Sequence, residues 1–295
     1  MTPSHKLTLS LASGVALELV YVPAGEFLMG SDRAADPKAA DNELPQHKLF
    51  LHAHFIGRAP VTVAQYAVFV QATEYKTTAE EYGHGYNLVD DHWKEIKDAH
   101  WRAPRGSGST VQQKSAHPVT LVSWYDALAF CDRVTNITQC KMYLPSEAEW
   151  EQAARGMEGF IYPWGNDKPT DTLCNFNLNV KDTTPIGQYS PQGDSPVGCT
   201  DMAGNVIEWM RSLWGIDIHT PEFKYPYSER RLERENAQAS NDVRRVVRGG
   251  GWDDDSESVR AAYRLPNPPV SRNDILGFRV AIPSLLSSHE SIEIG

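Results

Sequence analysis

The sequence predicts a mixed α+β domain in which irregular structure outweighs both helix and strand. Three observations predict it. The chain ends alternate apolar and polar residues with the period of a half-buried strand. The middle carries three segments with helix start signals. Much of the remainder is rich in Gly, Pro, Asn, Asp and Trp without periodicity. The 295 residues, 41% of them hydrophobic, suffice for a substantial core. No repeat, low-complexity tract or clear boundary divides them, so residues 1–295 read as one domain.

Leu7, Leu9 and Leu11, then Val15, Leu17, Leu19 and Tyr21, with Gly14 between them, predict a hairpin. Glu26 to Met29 is the next strand, residues 32–46 a proline-broken loop, and His47 to Arg58 a further strand ending before Pro60. Thr62 caps a helix that carries Tyr66, Phe69 and Val70 on one face. Ser123 with Asp126 opens a second helix holding Ala127, Phe130 and Val134. Ser146 with Glu149 is a capping box opening a third, which Gly156 stops. Residues 76–117, with His84, His92, His100, Trp93 and Trp101, read as an ordered surface loop and an insertion. Eight-residue spacing sets those histidines too far apart to share one metal ion. From Tyr162 the chain reads as short strands and turns. Residues 217–243 form a second, polar insertion whose charge run Glu229 to Glu235 reads as solvated helix or loop. Neither insertion is expected to add much core. Trp150, Trp164, Trp209 and Trp252 are the expected buried frame.

The net charge of −10 argues against general binding to nucleic acid or anionic membranes. No apolar run approaches the roughly 18 residues of a membrane span, and no basic-then-apolar leader pattern opens the chain. A cytoplasmic location is therefore expected, with surface display by another route left open. Cys131, Cys140, Cys174 and Cys199 show no C-x-x-C spacing and read as free, buried thiols. No P-loop, zinc signature or G-x-S-x-G elbow is present.

Residues 246–282 hold the candidate site. Two strand-like ends, Arg245–Trp252 and Leu276–Ala281, frame a polar loop of mixed chemistry. A rigid frame around an irregular loop commonly presents functional side chains. The candidate contact residues are Trp252, Asp253, Asp254, Asp255, Glu257, Tyr263, Leu265, Asn267, Val270, Ser271, Asn273 and Asp274. They are expected to lie largely accessible on one surface, with Leu265 and Val270 in an exposed patch and Trp252, Arg260, Phe278 and Arg279 holding the frame.

Motifs spread over residues 15–282 resemble the formylglycine-generating enzyme, or sulfatase-modifying factor, family. They are Val22-Pro23-Ala24-Gly25-Glu26-Phe27-Leu28-Met29-Gly30-Ser31, Pro60-Val61-Thr62, His117-Pro118-Val119 and Leu144-Pro145-Ser146-Glu147-Ala148-Glu149-Trp150-Glu151. Tyr162-Pro163-Trp164-Gly165, Asp201-Met202-Ala203-Gly204-Asn205-Val206-Ile207-Glu208-Trp209, Arg248-Gly249-Gly250-Gly251-Trp252 and Gly277-Phe278-Arg279 complete the set. The resemblance implies a modified C-type lectin fold: a twisted antiparallel sheet, packed helices and much irregular structure. It also implies, for catalytic members, a pair of C-terminal cysteines that bind copper. This chain has none between Val246 and Ile282, and Asp253 and Asp254 stand where the first is expected. Carboxylates are hard ligands and cannot replace thiolates on Cu(I), so no copper is expected. Calcium is the cofactor the resemblance leaves in place, with Asn175, Asn177 and Asp182 as structural ligands.

The variable proteins of diversity-generating retroelements are similar in their Arg-Gly-Gly-x-Trp, loop, Gly-Phe-Arg plan. Adenine replacement in an AAC codon reaches Asp, Ser, Tyr, Leu, Pro, Val and Ile, the types that fill much of residues 253–276. The leading expectation is a non-catalytic protein displaying this loop to a protein or small-molecule ligand. The alternatives are an oxidoreductase using Asp254 and Glu257 as acid and base, and a sensor module paired with a separate effector.

Overall fold

Two antiparallel strands, β1 (Lys6–Ala12) and β2 (Val15–Val22), form the predicted hairpin, with Gly14 at φ 76° in the turn. The computed structural model describes residues 6–90, 92–227 and 231–284. After β3 (Gly25–Met29), the predicted strand at 47–58 divides into β4 (His47–Leu51) and β5 (His54–Gly57). The parity of burial explains the division. Leu49 and Leu51 are buried in β4 but His54 and Ile56 in β5, so the inward face changes by one residue at His52-Ala53. Such a slip moves a strand's side chains to the other face. Accordingly β4 pairs with β3, while β5 joins β2 in another sheet.

Helix α1 (Val63–Thr73) starts at the Thr62 cap, closed by Gln65. The region expected to be loop holds regular structure instead: α2 (Thr78–Tyr82) and the hairpin β6 (His84–Val89) and β7 (His92–Lys97). A capping box of Thr77 and Glu80 opens α2, the same chemistry that marks the other helices. Helix α3 (Trp124–Thr138) starts at Ser123 and α4 (Glu147–Arg155) at Ser146, each with the predicted box. Then follow β8 (Ile207–Gly215), α5 (Arg231–Arg234), β9 (Arg244–Arg248), β10 (Arg264–Asn267), β11 (Leu276–Gly277) and β12 (Ala281–Pro283). Between α4 and β8 the described chain runs in turns rather than the expected short strands. The strands form two four-stranded sheets, β1-β2-β5-β12 and β10-β9-β8-β11, beside the pairs β3-β4 and β6-β7. Among the described residues no helix is long and apolar enough to cross a membrane.

The main core lies between α1, α3 and the sheets. Tyr66, Phe69, Phe130 and Phe278 pack ring on ring, with centroids 5.2–6.3 Å apart. Trp209 donates its indole N–H to Val122 O at 3.1 Å, and Trp124 donates to Met210 O at 3.0 Å, so both rings are buried with their polar atoms bonded. Trp150 and Trp252 are buried as expected, but Trp164 is half-buried and stacks on Tyr162 at 5.4 Å. The insertions do add core. Trp101 joins the main cluster, and Tyr225 and Tyr227 pack with Phe27, Met29, Leu49 and Leu51. Of the charge run expected to be solvated, Glu229 and Arg230 lie outside the described residues, while Arg234 is buried and donates to Glu147.

Helix α4 is the hub of the buried charge. Glu147 accepts from Arg234 at 3.0 Å and Arg264 at 2.8 Å, and Glu149 from Arg211 at 2.7 Å. Glu151 accepts from Arg155 at 2.9 Å, from Arg248, and from the Gly30 N–H at 2.7 Å. Burial alone would raise the Glu151 carboxyl, but Arg248 and Arg155 outweigh it and hold the group below its usual range. Next to it, Trp150 donates to Glu208, which pairs with Arg279 through bonds of 2.6 and 2.7 Å.

Replacing Trp209 with Ala removes a fully buried ring and should cost about 3–5 kcal/mol in urea denaturation; a much smaller loss would contradict the packing described. Glu151→Gln leaves two buried guanidinium groups facing a neutral amide. The same measurement should show a loss of about 3–5 kcal/mol, whereas a near-neutral result would show these charges to be solvated.

Candidate functional site

Strand β9 leads into Gly249 and Gly250, both at positive φ (97° and 69°), where an L side chain would be strained. The turn is also crowded. A Cβ on Gly249 would sit 3.2 Å from the Trp150 ring, and one on Gly250 2.8 Å from Val259. Trp252 follows. Its backbone N–H donates to Asn205 O, its carbonyl accepts from Leu178 N–H, and its indole N–H reaches Asp274 O at 3.4 Å. The loop is then anchored in its middle. Arg260 is buried and bonds Asp36 at 2.8 Å and Glu43 at 2.6 and 2.8 Å, both in the loop before β4. Phe278 and Arg279 close the frame, fully buried.

Between these anchors the candidate residues are less accessible than expected. Asp255 is exposed. Asp253, Asp254, Glu257, Tyr263, Leu265, Asn267, Val270, Ser271 and Asn273 are half-buried, and Trp252 and Asp274 are buried. The physical reason lies in the backbone, whose polar groups must be paired where water is excluded. Leu265 and Asn267 belong to β10, paired with β9. Asn273 O accepts from Leu121 N–H, and Asp274 N–H donates to Tyr86 O in the β6–β7 hairpin. Leu265 packs against the main core, so Leu265 and Val270 do not form a freely exposed apolar patch. The acids act largely as turn caps. Asp254 accepts from Gly251 N–H at 2.8 Å, Asp255 from Glu257 and Ser258 N–H, and Glu257 pairs with Lys38.

What the loop does present is one wall of an open groove. Trp252 faces Leu88, Val89 and Asp90 of the hairpin region, Arg105, and Leu178 with Lys181 across it. None of the last six was singled out by sequence, because they reach the groove only through the unexpected hairpin, the turns that follow it and the turns after α4. Beside Trp252, burial first and then the neighbouring Asp254 and Asp274 charges push the Asp253 carboxyl up to about 7. Burial likewise pushes Asp274 up to about 6. His84, His92 and His100 do not converge: His84 neighbours Arg272 and Glu95, while His100 neighbours Glu80.

The residues after Trp252 do not fit copper. Two carboxylates stand there, and burial raises the thiols of Cys131, Cys174 (to about 12) and Cys199 (to about 11), disfavouring thiolates. The calcium candidates have mixed surroundings. Asn175 is buried with its Oδ1 unpartnered, and its Nδ2 donates to Asp182 O. Asn177 is exposed, and the Asp182 carboxylate accepts from Lys114 at 2.6 Å, an ammonium that any cation there must displace. Among the described residues no three His, Cys, Asp or Glu side chains group as metal ligands.

The frame, the framing arginines and the irregular loop together define a lectin-like scaffold of the formylglycine-generating type. Treponema denticola variable protein 1 shares this fold, with a TM-score of 0.65 at 20% identity over 95% of this chain and 99% of that one. Residues 11–283 match the sulfatase-modifying factor enzyme 1-like domain. The chain belongs to that family, and its fold is the modified C-type lectin fold that the motifs imply. It is 32% identical to bovine inactive C-alpha-formylglycine-generating enzyme 2, over 92% of this chain and 90% of that one. It is also 33% identical to the formylglycine-generating enzyme of Thermomonospora curvata, over 92% and 95%.

The Asp253 carboxyl gives a pH signature. Its usual value is 3.8 and its folded value about 7, so the native state holds the proton more tightly. The stabilisation is complete below about pH 4 and is lost as pH rises through about 7. Asp253→Asn removes that loss. Urea midpoints should show the variant gaining on the wild type between about pH 4 and 8, and a difference independent of pH would contradict the burial of this acid.

Proposed function

We propose that the protein is a non-catalytic ligand-binding member of its family, recognising its ligand through the groove that Trp252 and the C-terminal loop form with the β6–β7 hairpin. One observation carries the proposal: the C-terminal frame is intact, but acids stand where catalytic members keep a thiol, and no cysteine lies between Val246 and Ile282. The likeness to a bovine relative named as inactive supports it. The groove's makeup supports it too, since an aromatic ring, aliphatic side chains and two cations suit binding. Diversification by a retroelement belongs to the same proposal. It would act on the half-buried and exposed loop positions, from Asp255 and Glu257 to Val270 and Ser271, and spare Trp252, Arg260 and Arg279.

A second reading keeps some support. Asp253 has a buried, unpartnered Oδ1 and titrates close to neutrality, as a general acid or base does. Asp254 and Glu257 suit that role less, because one caps the Gly251 turn and the other pairs with Lys38 at the surface.

Two measurements test the absence of copper–thiolate chemistry on which the proposal rests. Protein loaded with Cu(I) under reducing conditions should give no aldehyde from a cysteine-containing sulfatase peptide in air, and aldehyde above the copper-only control would overturn the proposal. In the native state a thiol reagent should reach Cys140 alone, with Cys131, Cys174 and Cys199 reacting only on unfolding; rapid labelling of a second thiol would reveal an accessible thiolate.

A further inference from the structure

A second, small cleft, with a cavity volume of about 60 Å³, adjoins the groove and shares Arg105 with it. Its floor is buried. Asn87, on β6, and Trp101 are each 2% exposed, and Asp274 is 7% exposed. Its mouth is charged and wetter: Lys114 and Arg105 both approach Asp182, at 2.6 and 3.9 Å, with the Arg105 side chain more than half exposed.

Two residues that line it, Asn87 and Trp101, each carry a polar atom without a protein partner. Asn87 donates its Nδ2 to Pro104 O at 2.8 Å, which fixes the amide orientation, because a carbonyl can only accept. Asn87 Oδ1 is left buried and unpartnered, and so is the Trp101 indole N–H. Buried polar groups are nearly always bonded, and an unpaired one disfavours the fold unless something else meets it. Neither group can turn away. The Trp101 ring lies edge-on to Tyr66 at 5.2 Å and under the Arg102 guanidinium at 4.2 Å, and Asn87 is held by the strand pairing of β6.

We infer that this cleft binds a compact zwitterion, a molecule carrying an ammonium and a carboxylate a few atoms apart. The ammonium enters first and donates to Asn87 Oδ1 and Asp274. The carboxylate accepts from the Trp101 N–H and turns toward the mouth, where two cations share the single Asp182 charge. The raised titration of Asp274 agrees, since a cation beside it restores the ionised form. The inference does not rest on the role proposed for the C-terminal loop, although Arg105 lines both clefts and Asp274 belongs to that loop.

Calorimetric titration of the full chain with glycine and with β-alanine at neutral pH tests it, with acetate and methylammonium as single-charge controls. At least one zwitterion should saturate with a Kd of about 1 mM or tighter, and both controls should bind about tenfold more weakly or worse. Asn87→Leu should weaken binding about tenfold without moving the melting temperature by more than a few degrees. Should that variant fail to fold, the indole N–H resonance of Trp101, assigned by its loss in Trp101→Phe, should shift when the wild type is titrated. Flat heats with an unmoved Trp101 resonance, controls that bind as well as the zwitterions, or a folded Asn87→Leu that binds normally would each overturn the inference.

Discussion

The structure depends on burying guanidinium groups where carboxylates already wait. Arg155, Arg248 and Arg264 meet Glu151 and Glu147 on α4, Arg279 meets Glu208 beside Trp150, and Arg260 meets Asp36 and Glu43. Desolvating these charges is expensive, and it is offset by the carboxylates, bidentate at Arg260 and Arg279, and by backbone carbonyls that take further N–H groups. The arrangement therefore has very few alternatives. A register slip in β9 or a shift in α4 would strand several charges at once, a far steeper penalty than the loss of an apolar contact. Little regular secondary structure links these segments, and the directional pairs supply much of the specificity that a long strand ladder would otherwise give.

Local chemistry was the legible part of the chain. The caps at Thr62, Ser123 and Ser146 each need only residues three apart, and all three helices start where those residues put them. The hairpin around Gly14 is equally local. The division of the strand at His52 was not legible from alternation alone, because a parity change spread over two residues looks like continued alternation. Thr77 and Glu80 carried a legible box, masked by the aromatic, weakly periodic residues around it.

The site was less legible than the fold, and for a physical reason. Arg260 finds its carboxylates more than two hundred residues away, and the groove opposite Trp252 is built by a hairpin and a turn distant in sequence. An Asp-rich loop invites a picture of exposed charge, but most of these acids bond nearby backbone N–H groups, and others are drawn under the surface. Asn87 and Trp101 gave no signal beyond their types. Their unpartnered atoms become evident only once the chain around them is folded.

The anchoring of the C-terminal loop has a kinetic consequence. Its two ends are fixed by the sheet and by Trp252, and its middle by Arg260, so the ordering entropy of the segment is lost when the chain folds rather than when a ligand arrives. On the proposed function, a partner meeting this surface would dock onto a shape that already exists. Association should then proceed in one step at rates ordinary for rigid encounters, about 10⁵–10⁷ M⁻¹s⁻¹, with affinity among sequence variants of the loop expressed mainly in how slowly the complex comes apart. On that reading, the scaffold would change what it binds without changing how fast it finds it.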